Sequence, residues 1–435
     1  MRNRVLQAAI AATLLGALAN GALPTGARAQ TLGRRIDSSP DGRVQFTFSA
    51  RPGVCGNGRS YIQTGPNNYT GSFNGNMSDQ LRSDPCVAGP VRVVVDRAGR
   101  DIISLDTYVG PVQRDPGATD LGEVRASEAT DFLLTLASRG EGSAARQAIM
   151  PAMLADGASP TRQLLDIMRD QDRPREVRRS AMSWLVRATE NDAMIPASVT
   201  TALLGIARDE TDNQEVRRNA LSVMSRLEHG AGIPPLIELA RATDNSWLAR
   251  ESMSVIARSG DPRARDYLRS AVRRSDLPDE TLARAIRGLG TEYATSQDAA
   301  LLRDIYSRVA GERAREAVLQ SVAEMGGSEN SRWLMSLARD ENQTINTRRR
   351  ALQYASRAGV PIADLVRLYD TTTDPNMKEA LIGLYVQNGE RAAVDKLMSI
   401  AKSEENSTLR RRTISQLSRS EDPRVKDFLR DLVER

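Results

Sequence analysis

The chain has 435 residues, 40% hydrophobic and 26% charged, with a formal net charge of +5. A single histidine and two cysteines leave too few ligands for a His/Cys metal site, and a serine triad would have to use that one histidine. Beyond the N-terminus no apolar run approaches the roughly 20 residues that a membrane-spanning helix needs.

The first residues have the form of a secretory signal peptide. Arg2 and Arg4 precede an apolar stretch from Val5 to Ala19, and Ala27-Arg28-Ala29 offers small residues around a cut before Gln30. Residues 1–29 are expected to be removed and the chain exported, to the periplasm or beyond it. No Cys follows the cut, which argues against a lipid anchor there. In an oxidising compartment Cys55 and Cys86 are expected to form one disulfide, leaving no thiolate for nucleophilic chemistry. The leader's three arginines account for most of the net charge of +5, so the remainder carries about +2. That is too little for the positive field that binds nucleic acid.

Residues 30–113 read as a small β-rich domain. GRVQFTF (42–48) alternates like a strand, and VRVVVDRAGRDIISLDTYV (91–109) reads as two strands joined by a Gly-containing turn. Between them, GPNNYTGSFNGNMSD (65–79) is either a solvated loop tied down by the disulfide or a ligand-binding tip with Tyr61, Tyr69 and Phe73 as contacts; the first is favoured. So small a unit buries little core and benefits from a covalent staple. Residues 114–122, with Pro116 and Gly117, read as a linker.

From 123 to 435 the pattern is helical, with apolar residues at i, i+3 and i+4 in short segments parted by Gly, Pro, Asp and Asn. The phrase EVRRSAMSWL at Glu176 returns as EVRRNALSVM at Glu215. A small residue followed by a large apolar one marks the same point in eight units: Ala181-Met182, Ala220-Leu221, Ser252-Met253, Ala285-Ile286, Ala317-Val318, Ala351-Leu352, Ala380-Leu381 and Thr413-Ile414. A base stands two residues before the small one in all but one unit: Arg179, Arg218, Arg250, Arg315, Arg349, Lys378 and Arg411. GDPRARDYL at Gly260 and EDPRVKDFL at Glu421 repeat a helix start, with Asp to cap free N–H groups and Pro where no N–H is needed. Each unit is a helical hairpin that cannot bury its apolar face alone, so the hairpins must stack into a mainly α solenoid.

These phrases resemble HEAT repeats, particularly the bacterial kind called PBS-lyase HEAT-like repeats. The resemblance covers about 160–435, with the two helices between Ala126 and Asp156 as a possible N-terminal cap. It implies an inter-repeat ladder of acids and arginines, carried here by Asp172–Arg178, Asp212–Arg218, Asp244–Arg250 and the variant Glu405–Arg411. The spacing breaks at 275–315, where an irregular superhelix is expected. Some HEAT-like proteins are associated with chromophore-lyase activity on light-harvesting proteins, which makes a lyase-like accessory role the alternative to a scaffold.

No catalytic, metal or cofactor constellation is expected. His229 sits at a helix end before Gly230, a natural capping place. Ser399-Ile-Ala-Lys402 matches a Ser-x-x-Lys pattern without its companion motifs. Trp184, Trp247 and Trp333 occupy apolar positions and read as core. The composition favours a non-enzymatic scaffold of the cell envelope that binds a protein partner on its concave surface. Candidate contacts are Arg179, Arg218, Arg250, Arg315, Arg348, Arg349, Arg350, Arg410, Arg411 and Arg412. The same arginines would serve a third alternative, binding of an anionic polymer.

Overall fold

The computed structural model describes residues 31–65, 68–71, 85–111, 115–158, 160–189, 197–242, 245–274 and 276–434. The expected leader, Phe73 and Asp244 lie outside these, as does most of the Gly/Asn-rich loop. The chain divides into two compact units, Met1–Ala158 and Ser159–Arg435.

In the first unit, α1 (Leu32–Asp37) precedes β1 (Gly42–Phe48). β1 pairs antiparallel with β5 (Val91–Ala98), which pairs antiparallel with β6 (Asp101–Val109). The alternation seen in the sequence buries Val44, Phe46 and Phe48 completely, together with Val91, Val93 and Val95. A second small sheet contains β2 (Cys55–Gly56), β3 (Tyr61–Gly65) and β4 (Asn68–Gly71). Tyr61, offered as a possible loop contact, is 2% exposed and belongs to the core. Gly56 has a specific reason to be glycine: a Cβ there would lie 2.5 Å from the Val109 carbonyl oxygen and 2.8 Å from that of Tyr61.

Two boundary expectations change. Residues 114–122 were expected to form a linker, but β7 (Ala118–Glu123) closes the larger sheet parallel to β1, giving the order β6-β5-β1-β7. It is a mostly exposed edge strand, so it lacks the apolar alternation that would mark it in the sequence. The helices α2 (Ala126–Arg139) and α3 (Gly142–Leu154), expected as a solenoid cap, belong to this first unit. Phe132 sets its ring edge-on to Phe46 at 6.1 Å. The Ser143 hydroxyl donates to the Ile103 carbonyl at 3.2 Å, and the Leu105 N–H donates to the Gln147 side chain at 3.1 Å. The open edge of β6 is thereby covered, which blunts edge-to-edge pairing.

The second unit is a stack of helical hairpins. First helices are α4 (Thr161–Arg169), α6 (Ala197–Arg208), α8 (Ile233–Ala242), α10 (Pro262–Ala271), α12 (Ser296–Ile305), α14 (Ser328–Arg339), α16 (Ile362–Thr371), α18 (Arg391–Ser403) and α20 (Pro423–Val433). Second helices are α5 (Arg175–Thr189), α7 (Gln214–Met224), α9 (Ser246–Ala257), α11 (Asp279–Leu289), α13 (Glu312–Met325), α15 (Ile345–Arg357), α17 (Pro375–Asn388) and α19 (Ser407–Leu417). The Asp-Pro starts behave as expected: Asp261 and Asp422 accept the N–H of Arg263 and Arg424 at 2.8 and 2.9 Å, with Pro262 and Pro423 in the first turn. The small residues at the repeat mark are fully buried in seven units; at Ala380 the position stays half-exposed. The larger partners Met182, Leu221, Met253, Ile286, Val318, Leu352 and Leu381 are all fully buried. Each such side chain contributes roughly 1.5–3 kcal/mol. Trp184 is buried, and Trp333 packs edge-on to Tyr306 at 5.4 Å.

Cys55 and Cys86 are bonded, with Cα atoms 5.3 Å apart across 31 residues of chain. Replacing both with serine is expected to lower the stability of the first unit by roughly 3–4 kcal/mol on the loop-entropy account. Differential scanning calorimetry should show an earlier transition for that unit and an unchanged one for the repeats.

Candidate functional site

The second helices contact their successors in every repeat, whereas several neighbouring first helices barely touch. The stack is therefore tighter on the second-helix side, which is its inner face. Between α14 and α16 the first helices leave a gap of about 930 Å³, bordered by Arg332, Met335, Arg339, Pro361 and Arg367. The arginines of the inner face fall into three rows along each helix, and the rows have different fates.

The row three residues before the small position is buried. Arg178, Arg217 and Arg348 are 3%, 7% and 8% exposed. Each donates from Nε to a carbonyl ten residues back, at the end of its own first helix: Met168 at 2.9 Å, Ala207 at 3.1 Å and Ala338 at 3.1 Å. These bonds satisfy carbonyls that a helix end leaves without partners. Arg178 also reaches forward to Asp212 of the next repeat through two bonds, 2.7 and 2.5 Å. Arg348 approaches Asp374 at 3.7 Å. Arg217 instead stacks 4.4 Å over the Trp247 ring.

The expected inter-repeat ladder is therefore present in part: Arg178 and Asp212, both expected members, pair across 34 residues, whereas no bond joins Asp212 to Arg218, Asp172 to Arg178 or Glu405 to Arg411 among the described residues. Six residues before an arginine, the acid lies in the turn between two helices and faces the preceding repeat. Arg348 is correspondingly a structural arm and not a surface contact. In α9, α11 and α13 the buried position holds Ala249, Leu282 and Ala314, so the ladder moves to the first helices. Arg265 and Arg269 of α10 converge on Asp298 of α12, each at 2.7 Å, and Asp298 is fully buried. Thr295 completes a capping box with Asp298. Burial alone would raise the Asp298 pKa; hydrogen bonds from Arg269, Arg265 and Thr295 outweigh it and hold the carboxyl well below its ordinary value. This detour accounts for the irregular spacing at 275–315.

The second row, one or two residues before the small position, includes exposed links between successive second helices. Arg179 lies 3.9 Å from Glu215, Arg218 3.2 Å from Glu251 and Arg350 3.1 Å from both Glu312 and Glu316; Arg412 pairs with Glu379. The Tyr354 hydroxyl also donates to Glu316 at 2.7 Å. Burial, and then that bond, push Tyr354 up to about 12. Arg315 and Arg411 donate to nearby carbonyls, Val309 at 2.6 Å and Ser407 at 3.3 Å, and the half-buried Arg410 reaches the Glu404 carbonyl at 2.8 Å. Arg250 and Arg349 make no ion pair among the described residues.

A third row lies two turns further along and was not singled out from the sequence: Arg187, Arg226, Arg258, Arg357 and Arg419. Among the described residues none of these five side chains makes an ion pair or donates a hydrogen bond. Arg187 lies 4.5 Å over Trp184, and Arg357 lies 5.4 Å over Tyr354. The signal is a phrase with an arginine, a short polar residue and an arginine at four-residue steps: Arg179-Ser183-Arg187, Arg218-Ser222-Arg226, Arg250-Ser254-Arg258, Arg349-Gln353-Arg357 and Arg411-Ser415-Arg419. Steps of four keep the three residues on one helix face. Beside the fourth phrase, α15 and α17 enclose a groove of about 420 Å³ lined by Asn346, Arg349, Gln353, Ala380, Gly383 and Gln387. A Cβ added at Gly383 would meet nothing within 4 Å.

His229 is exposed with a left-handed φ of 55°, and its carbonyl accepts from Arg263 at 2.9 Å. Ser399 and Lys402 are both exposed on α18, with no hydrogen bond between them among the described residues.

The second unit belongs to the class of α-solenoids built from helical hairpins, and its residues 200–290 match the family model of HEAT repeats. No curated protein matches the chain. Among solved structures, human deoxyhypusine hydroxylase in complex with glycerol is 14% identical, over 58% of this chain and 92% of that one, with a TM-score of 0.26. The complex of CpcE and CpcF of phycocyanin lyase from a Nostoc species is 17% identical, over 59% and 95%, at 0.27. A Kap121p mutant is 12% identical, over 67% and 37%, at 0.36.

The row assignment predicts unequal costs. Arg178→Ala strands a buried carboxylate and should cost about 3–5 kcal/mol, whereas Arg218→Ala removes an exposed pair and should cost under about 1 kcal/mol; urea denaturation of the two variants distinguishes them. Asp298 has a depressed folded pKa, so its contribution is complete above its unfolded value of about 4 and is lost as the pH falls through the folded one. Asp298→Asn should be less stable at pH 7 and show a shallower loss of stability below pH 4, read from unfolding midpoints across that range.

Proposed function

We propose that this protein is a non-enzymatic scaffold of the cell envelope that holds a protein partner on the inner, second-helix face of its repeats. HEAT repeats form helical scaffolds that often bind proteins. The observation that carries this reading is the third arginine row: charged groups on the inner face that pair with no acid among the described residues. The groove between α15 and α17 adds a place for side chains to enter, because Ala380 and Gly383 leave the helix surface open. The envelope location rests on the leader-like N-terminus and suits the Cys55–Cys86 bond.

The test is affinity capture from envelope extract with the full chain and with Gly383→Trp, which fills the groove while circular dichroism reports the fold. A discrete protein retained at moderate salt, and reduced about tenfold by the variant, is the expected result. Retention of polymer alone, or equal retention by a folded Gly383→Trp, would sink the reading.

A further inference from the structure

We propose that the first three inner-face phrases recognise an extended acidic polypeptide with a carboxylate at every third residue. This rests on the scaffold reading and specifies the partner's chemistry at one part of the same face. Arg187 stands on α5, and Arg226 and Arg258 follow directly on the C-terminal ends of α7 and α9, so the three belong to successive second helices or their ends. Arg226 and Arg258 are exposed, and Arg187 is half-buried. A cation suits the C-terminal end of a helix, yet none of the three donates to a helix-end carbonyl among the described residues, which leaves their guanidinium donors open. Trp184 beneath Arg187 limits the freedom of that guanidinium.

The spacing selects an extended chain. Packed helices lie about 8–10 Å apart. A polyproline II segment rises about 3.1 Å per residue with three residues per turn, so every third side chain recurs at roughly 9 Å on the same edge. Each acid of such a segment meets one guanidinium, in the planar two-bond geometry that arginine favours for carboxylates. Ser183 and Ser222, one turn before Arg187 and Arg226, are half-buried and offer hydroxyls toward the segment's main chain.

The opposite end of the same helices argues against a polyanion. There Glu215 and Glu251 already face Arg179 and Arg218. A strand charged on all sides would meet these carboxylates, whereas a peptide acidic on one edge turns its neutral edges to them. Like charges placed opposite one another discriminate against the wrong partner.

Fluorescence anisotropy with the full chain tests this. One labelled peptide carries five Glu-Pro-Ser units; a second has the same composition with its five glutamates in one block. The periodic peptide should bind at least about tenfold tighter, and the triple variant R187A/R226A/R258A should lose about tenfold, as three exposed pairs of about half a kcal/mol each would give. Arg313→Ala, at an exposed site on α13, should leave binding unchanged. Equal affinity for the two peptides, or undiminished binding by the triple variant, would overturn the proposal. So would a heparin or oligonucleotide competitor that binds more tightly than the periodic peptide and loses affinity in the triple variant; it would assign the row to a polyanion. A protein captured from extract that depends on Gly383 but not on these arginines would leave the scaffold reading standing while this inference fails.

Discussion

The arm formed by Arg178, Arg217 and Arg348 is the interaction on which the repeat stack depends. A guanidinium drawn into the seam between two helices ties the end of the first to the body of the second through one carbonyl. Where an acid is available it also ties that hairpin to the next. Burying such a charge is tolerable only because its donors find carbonyls, carboxylates or an aromatic face. The distance from arm to carbonyl is ten residues in all three repeats, so the arm also sets the length of the turn between helices. Small residues such as Ala181 and Ala220 let the helices close around it.

The middle repeats reach the same end differently. With Ala249, Leu282 and Ala314 at the arm position, apolar packing fills the seam. The charged link moves to Arg265, Arg269 and Asp298 on the first helices, and Arg303 continues it to Glu329 at 2.6 Å. A solenoid tolerates this change because each repeat contacts only its neighbours, so a link can shift sides without disturbing distant units. The ladder nevertheless connects α10, α12 and α14, through a carboxylate buried at Asp298 and a more exposed pair at Arg303 and Glu329.

The innermost arginines are committed to structure and several of the next row to glutamates of adjacent helices, which sets the remaining row apart. Arg187, Arg226 and Arg258 make no ion pair among the described residues, yet they recur with a polar residue and a second arginine at four-residue steps. The open helix surface at Ala380 and Gly383 is a local exception to close packing and belongs to the same inner face.

The strands at 42–48 and 91–109, the cysteine pair, the Asp-Pro helix starts and the hairpin period were all legible in the sequence, because each rests on local chemistry or on a pattern that repeats. The third arginine row is equally present in the phrases, but nothing local separates an arginine that the stack uses from one that it leaves unpaired. What only the tertiary structure decided is pairing at a distance. The six-residue spacing marks Asp212 and Arg178 as ladder positions, but only the stacked repeats bring them together across 34 residues. β7 was hidden because an exposed edge strand has no apolar rhythm, and α2 and α3 looked like repeat helices because their apolar faces suit a sheet as well as another hairpin. Sequence periodicity specifies which face of an element is buried; it does not specify what covers that face.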